Sequence, residues 1–562
     1  MGAAGENDVQ RNATLVDEQT FGPIGSPEAD SKHDALDEAD VNQQPELEKE
    51  DEASRASSPP PTEDTTDSKT VISFSLHDPE DPHNWRMRKK VYTVFVGVVL
   101  VINSTIGSSE ASGAADELAK YFNVKEQSQL VLLVSIYLVG YTVGPLVFGP
   151  LSESYGRKYV MICTFVGFII FTLACALAPN WPALLIFRLL AGVSASSPVA
   201  IVGGIYADIF NDPVTRGRAM TVFMTATTFG PLIGPIISGF ISVVSWRWTF
   251  WVALITAGVT LPFLILMPET YGPEILRLRA RRLRKELGNP NIYAPIELEK
   301  QNLNHIVTVV LTRPIRMFCF EAIVLSSCLY LAFAYGIFYM FFQAYPIVFI
   351  GIYHFNAGEV GLTLLPIGFG AVGACILYLY WDHVLLKAKN RSPPASWSQR
   401  EEYRRLPLAC FGGPLFVIAL FWMGWSARAD VHWMVPILAA LPFGTGFLLL
   451  FMALLNYLVD AYEVYAASAM AAASCSRSLL GAVLPFAARP MYRNLGVAWA
   501  CSTLAFLSLA MCAIPFAFIH WGDRIRDNSQ FCQQLKREKE EEKAKMEGER
   551  LREEVDSPER KV

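Results

Sequence analysis

Between residues 90 and 520 the chain carries twelve apolar runs, most of them about twenty residues long, separated by polar breaks. About twenty apolar residues are what a helix needs to cross the hydrocarbon core of a bilayer. Within that core every backbone N–H and C=O must be bonded inside the segment, so runs of this length predict membrane helices. The predicted spans are 90–110, 128–149, 159–178, 183–208, 219–243 and 248–267, then 317–343, 357–381, 407–426, 433–458, 466–488 and 496–520. A polar stretch at 268–313 divides them six and six. Composition agrees, since 52% of the 562 residues are hydrophobic and 18% charged. A soluble protein carries nearer to about 25% charged residues.

The net charge of −6 hides an asymmetry. Residues 1–84 hold 21 acidic and 5 basic side chains, so the remainder is basic. This predicts five regions. Residues 1–84 read as an acidic, disordered cytosolic N-terminus with no cleavable signal sequence. Residues 85–267 and 317–521 read as two six-helix halves, 268–316 as a basic cytosolic central loop, and 522–562 as a charged cytosolic tail. Lysine and arginine crowd the breaks after even-numbered spans (Arg157 and Lys158, Arg216 and Arg218, Arg277 to Lys285, Arg404 and Arg405), which places both termini inside. The sequon Asn12-Ala13-Thr14 then falls on the cytosolic side. The central basic loop is read as this topogenic signal, with room for anionic lipid contact, and not as a nucleic-acid patch.

Chemistry is sparse. The ten cysteines form no CxxC pair and lie mainly in apolar runs as small hydrophobes. No HExxH pattern, metal-ligand spacing, nucleotide loop or nucleophile–base constellation is present in the sequence. No catalytic residue, metal or cofactor is therefore expected, and the chain is not read as an enzyme.

Local motifs carry more. Between spans 2 and 3 stands Gly149-Pro150-Leu151-Ser152-Glu153-Ser154-Tyr155-Gly156-Arg157-Lys158. Span 4 carries Arg188 four residues before Gly192, and an arginine inside a membrane span is costly enough to be a functional candidate by default. Span 5 carries Gly230-Pro231-Leu232-Ile233-Gly234-Pro235-Ile236-Ile237-Ser238-Gly239, with small residues at 230, 234 and 238 on one face for close helix contact. These three stretches resemble the signature loop and two antiporter motifs of the major facilitator superfamily. Asp81-Pro82-His83-Asn84-Trp85, Trp246-Arg247-Trp248-Thr249-Phe250-Trp251, Pro268-Glu269-Thr270-Tyr271 and Asn456-Tyr457-Leu458-Val459-Asp460-Ala461-Tyr462 are similar to stretches of its fungal drug:proton antiporters.

The resemblance implies an all-α membrane protein whose twelve helices enclose a site between two six-helix halves. It implies proton-coupled export of a small, largely apolar organic compound, such as a fungal secondary metabolite, toxin or drug. A polyamine or organic-acid exporter of the same fold is the alternative. The partners implied are substrate, protons and the lipid bilayer. A monomer is expected, in the plasma membrane or, failing that, the vacuolar membrane. The roles carried over are an inner gate for Gly149, Glu153, Gly156, Arg157, Lys158 and Asp208, and proton coupling for Arg188 and Gly192. Arg157 is expected to pair with Asp208, and Glu153 to approach the start of span 11. Polar and aromatic residues nominate Glu110, Glu321, Tyr335, Tyr339 and Arg477 for the substrate cavity, the tyrosines belonging to a stripe along span 7 that packing alone could also explain.

Overall fold

The computed structural model describes residues 70–548, except 76, 299–302, 392, 394, 400, 401, 530, 535, 538, 539, 542 and 545. The expected disorder of residues 1–69 and the end of the charged tail lie outside the described residues. Spans 1 to 6 are Met87–Ser109, Ser128–Tyr155, Arg157–Ala176, Trp181–Ile209, Val214–Ile241 and Arg247–Leu266, and spans 7 to 10 are Ala322–Phe349, Ala357–Lys389, Tyr403–Ser426 and Met434–Tyr462. Ala466–Val483 continues past Leu484 into Pro485–Met511 and Ala513–Asp527. Inside that stretch Gly496 takes φ 74° and ψ 167°, a conformation open to glycine and strained for other residues. The chain folds back there. The hydroxyl of Tyr492 lies 3.3 Å from the sulfur of Cys501, nine residues on, whereas an unbroken helix would separate those positions by roughly 13 Å along its axis. Gly496 thus divides spans 11 and 12, which gives twelve membrane helices among the described residues.

Two expectations about the centre of the chain change. Span 7 starts at Ala322, not 317, because a separate helix, Leu303–Phe320, precedes it and the backbone breaks at Glu321 (φ −99°, ψ 113°). The polar stretch after span 6 also carries regular elements, among them Gly272–Leu287 and Pro295–Leu298. Gly272–Leu287 is an amphipathic helix whose Leu276, Ala280 and Leu283 form a small core with Ile72, Phe74, Ile292, Ala294 and Ile296. Thr70–Val71 pairs in parallel with Ile292–Tyr293. Asp78 bonds Arg279, while Glu80 lies 3.4 Å from Arg282. The segment before span 1 is therefore strapped to the loop after span 6.

The strap has an acid limit. The Glu80 backbone N–H, donating to Asp78 Oδ1 at 2.9 Å, and the Arg279 guanidinium hold the Asp78 carboxyl below the usual carboxylate range. A carboxyl with a depressed folded value stabilises above its unfolded value, near pH ~4, and loses that contribution as pH falls through the folded one. Asp78→Asn should therefore speed amide exchange of residues 70–74 at neutral pH, and wild type should approach the variant's rate in acid.

Between the halves, span 5 packs on span 8 and span 2 on span 11. Span 7 packs on spans 11 and 12 and also meets span 10, where Phe338 stacks on Phe447 at 5.0 Å and Phe341 meets Phe443 at 4.6 Å.

Candidate functional site

The turn between spans 2 and 3 sits on the face where the basic loops gather. Gly156 has φ +91°, and a Cβ there would meet Glu269 Oε2 at 2.7 Å. The turn brings Arg157 inward, where it is 6% exposed. Its Nε donates to Asp208 Oδ2 at 3.2 Å, and a terminal nitrogen donates to Ser152 Oγ at 2.7 Å. Glu153 is half exposed and, among the described residues, its ion-pair partner is Arg157 at 3.5 Å and not the start of span 11 that was expected. Lys158 contributes its backbone N–H, which donates to Glu269 at 3.0 Å. Gly149 faces open space, and nothing in the structure explains a glycine there.

Glu269 was read only as part of a motif, yet it accepts from the backbone N–H groups of both Arg157 and Lys158 at 2.9 and 3.0 Å. It thereby caps span 3, since the first N–H groups of a helix have no partner within it. An acid fixed in a Pro-Glu-Thr-Tyr turn at the edge of a span was the available signal. The second half holds a counterpart that the sequence did not give. Arg405, at the start of span 9, donates to Asp460 at the end of span 10 at 3.3 Å and also to the Tyr378 hydroxyl. These partners lie 55 residues apart, against 51 for Arg157 and Asp208. Asp382, in span 8, is 3.7 Å from Arg218 of span 5 and so links the halves.

At the opposite face, Arg188 is 1% exposed and Glu110 4%. Gly192 lets span 4 lie against the Tyr137 backbone of span 2, which brings Arg188 within reach of span 1. Arg188 donates to Glu110 Oε1 at 3.1 Å and to the carbonyls of Gly107 and Leu133 at 2.7 and 3.0 Å. The Tyr137 ring lies 4.6 Å from its guanidinium carbon. A charge inside a membrane protein needs such partners.

Span 5 lies between span 1 and span 8. Pro235 has no N–H to offer the carbonyl of Pro231 four residues back, and that oxygen instead accepts from Ser109 Oγ at 2.7 Å. Gly230 faces Thr105, and Gly234 faces Ser109 with the Glu110 nitrogen 2.8 Å from where a Cβ would stand. On the other side Gly239 lies against the Ala357 carbonyl at 2.6 Å on the same measure. Gly234→Ala should therefore force the helices apart, an overpacking cost of about 1–3 kcal/mol. Its purified protein should melt several degrees lower, while Gly258→Ala, which meets open space, should melt as wild type does.

The proposed cavity residues divide. Tyr335 and Tyr339 stand 4.9 Å apart, and Arg477 lies 5.6 Å from the Tyr335 ring. Tyr339 bonds Ser108 across the halves at 2.7 Å. These residues meet at the centre. Glu110 belongs to the Arg188 pair. Glu321 does not belong to the cavity: it stands at the N-terminal end of span 7 and accepts from the Tyr462 hydroxyl at 3.0 Å, about 20 Å along the helix from Tyr335. A cavity of about 290 Å³ at the Glu110 end, with Ser112, Asp116, Gln343, Tyr345 and Arg489 on its wall, was not foreseen. Its residues come from spans far apart in the chain and from short connections, so no local pattern marks it.

Comparisons with known proteins place this architecture. A citrinin biosynthesis cluster MFS transporter, mrr1, of Monascus ruber is 38% identical over 81% of this chain and 91% of its own. Polyamine transporter 3 of Saccharomyces cerevisiae is 37% identical over 89% and 79%. The fold is that of the proton:xylose symporter XylE bound to 6-bromo-6-deoxy-D-glucose, with TM-score 0.55 and 16% identity over 77% of this chain and 97% of that one. Residues 94–485 match the sequence profile of the Major Facilitator Superfamily, and the chain belongs to that family of membrane transporters.

Proposed function

We propose that the chain is a proton-driven exporter of small, largely apolar organic compounds, acting as a monomer in the plasma membrane with both termini cytosolic. The observation that carries this reading is the buried Arg188–Glu110 pair, set against the proline- and glycine-rich seam of span 5. A carboxylate held by one arginine inside the protein can take a proton and release that arginine. Protonation would weaken the pair and bias one arrangement of the halves over the other, which is the differential interaction a coupled transporter needs. Glu110 is thus the proton-binding group, Arg188 its sensor, and the Arg157–Asp208 and Arg405–Asp460 pairs latch the cytosolic face. The test is substrate-dependent proton flux in proteoliposomes over a panel of compounds. Flux that no member of the panel alters, in protein shown to be inserted and folded, would end the antiport reading.

The relative named a polyamine transporter gives polyamine export as a second reading. The centre argues against it. Arg188 is matched by Glu110, whereas Arg477 has no carboxylate partner among the described residues and donates to Ser474 at 3.3 Å. A multivalent cation beside Arg477 would add repulsion to its desolvation cost. Expression in a yeast sensitive to both drugs and polyamines should give resistance to hydrophobic toxins ahead of spermine. Strong spermine resistance alone would reverse the ranking.

A further inference from the structure

The stretch Trp246-Arg247-Trp248-Thr249-Phe250-Trp251 has no place in the roles above, yet two of its residues stand beside the coupling pair. Phe250 lies 6.0 Å from the Arg188 guanidinium. Thr249, in the first turn of span 6, is 2% exposed, and its hydroxyl has no protein partner. Glu110 uses Oε1 on Arg188, while its buried Oε2 also has none. Buried polar atoms are rarely left unbonded, and ordered water is the usual partner when protein offers none.

Both side chains line the same small cavity, closed by Ile106, Gly234, Ile237 and Thr256 among others. Its volume, about 10 Å³, is that of a single water site. Thr256 Oγ1 gives its hydrogen to the Ala253 carbonyl at 2.9 Å and keeps a lone pair as a third polar contact.

We propose that Glu110, Thr249 and Thr256 bind one water, and that this water delivers the coupling proton to Glu110 Oε2. The inference rests on the reading of Glu110 as the proton-binding group. The water gives one proton to Oε2 and takes one from a hydronium ion of the solvent at the face opposite the basic loops, so it is regenerated unchanged. Thr249 is a positioning residue: its hydroxyl fixes the water on the oxygen that Arg188 leaves free. The other titratable groups near Glu110 are Arg188 of span 4, Tyr137 of span 2 and Cys175 of span 3. The span 5 and span 6 residues on the cavity wall bring none.

Infrared difference spectra of the full chain in lipid, between acidic and alkaline buffer, require no substrate. Wild type should show a protonated-carboxyl stretch that Glu110→Gln lacks. In Thr249→Val the band should persist, move to higher frequency, and exchange with deuterium roughly tenfold more slowly, the worth of about one buried hydrogen bond. Thr249→Ser should restore both properties. If Thr249→Val fails to accumulate, Thr249→Ala carries the same test. Wild-type frequency and exchange in the variant lacking the hydroxyl, with the band still absent from Glu110→Gln, would overturn the water site and leave Glu110 standing. A band that survives Glu110→Gln would overturn both.

Discussion

Arg188→Ala is expected to abolish export driven by a pH gradient, the largest loss of any single substitution in this chain. The reason is the depth of the pair: neither side chain is more than 5% exposed, and Arg188 also satisfies two backbone carbonyls. Removing one member of a buried ion pair leaves the other uncompensated, at about 3–5 kcal/mol. Arg188→Lys keeps the charge but lacks the planar fork that reaches Glu110 and both carbonyls together, so it should retain part of the coupling. Transport in vesicles with and without an imposed pH gradient checks this. Equal gradient dependence in wild type and Arg188→Ala would refute the coupling role. Loss of protein from the membrane in both variants would show a structural role instead.

Arg157→Ala ranks second. The guanidinium holds Asp208 and Ser152 and lies 5.1 Å from the Tyr271 ring, so one side chain joins spans 2, 3 and 4 to the central loop. Without it Asp208 keeps a 3.5 Å contact to Thr270, and export should fall by roughly tenfold or more, as expected when a charged hydrogen bond is lost. Glu153→Ala should do much less than the sequence suggested, because an exposed ion pair contributes at most about 1 kcal/mol. Export and surface delivery measured together separate the cases. Wild-type export by Arg157→Ala would remove the gate assignment.

The fold was legible because the membrane makes it so: length and apolarity of a run decide whether it spans, and neither depends on distant residues. The exceptions are instructive. Glu321 stands fourteen residues before Tyr335 in one apolar run, and the helix break at 321 is what places it at a terminus and away from the central cluster. The seam of span 5 was readable because its small residues share one local face. Arg188 could be nominated but its partner could not, since Glu110 lies 78 residues away and pairing across spans leaves no periodic trace. Thr249 was visible only as part of a motif, because a hydroxyl matters here through the cavity it lines.

The strap and the two central helices also set a leash on the transporter. Pro295–Leu298 packs on Gly272–Leu287, with Glu297 and Arg284 2.7 Å apart, and so travels with the first half. Leu303–Phe320 packs on span 11, with Arg313 5.1 Å from the Tyr465 ring, and travels with the second. The chain between those two helices runs only from Leu298 to Leu303. Five peptide units reach at most roughly 18 Å, so while both packings hold, those two anchors can separate no further than that, however widely the rest of the face with the basic loops opens.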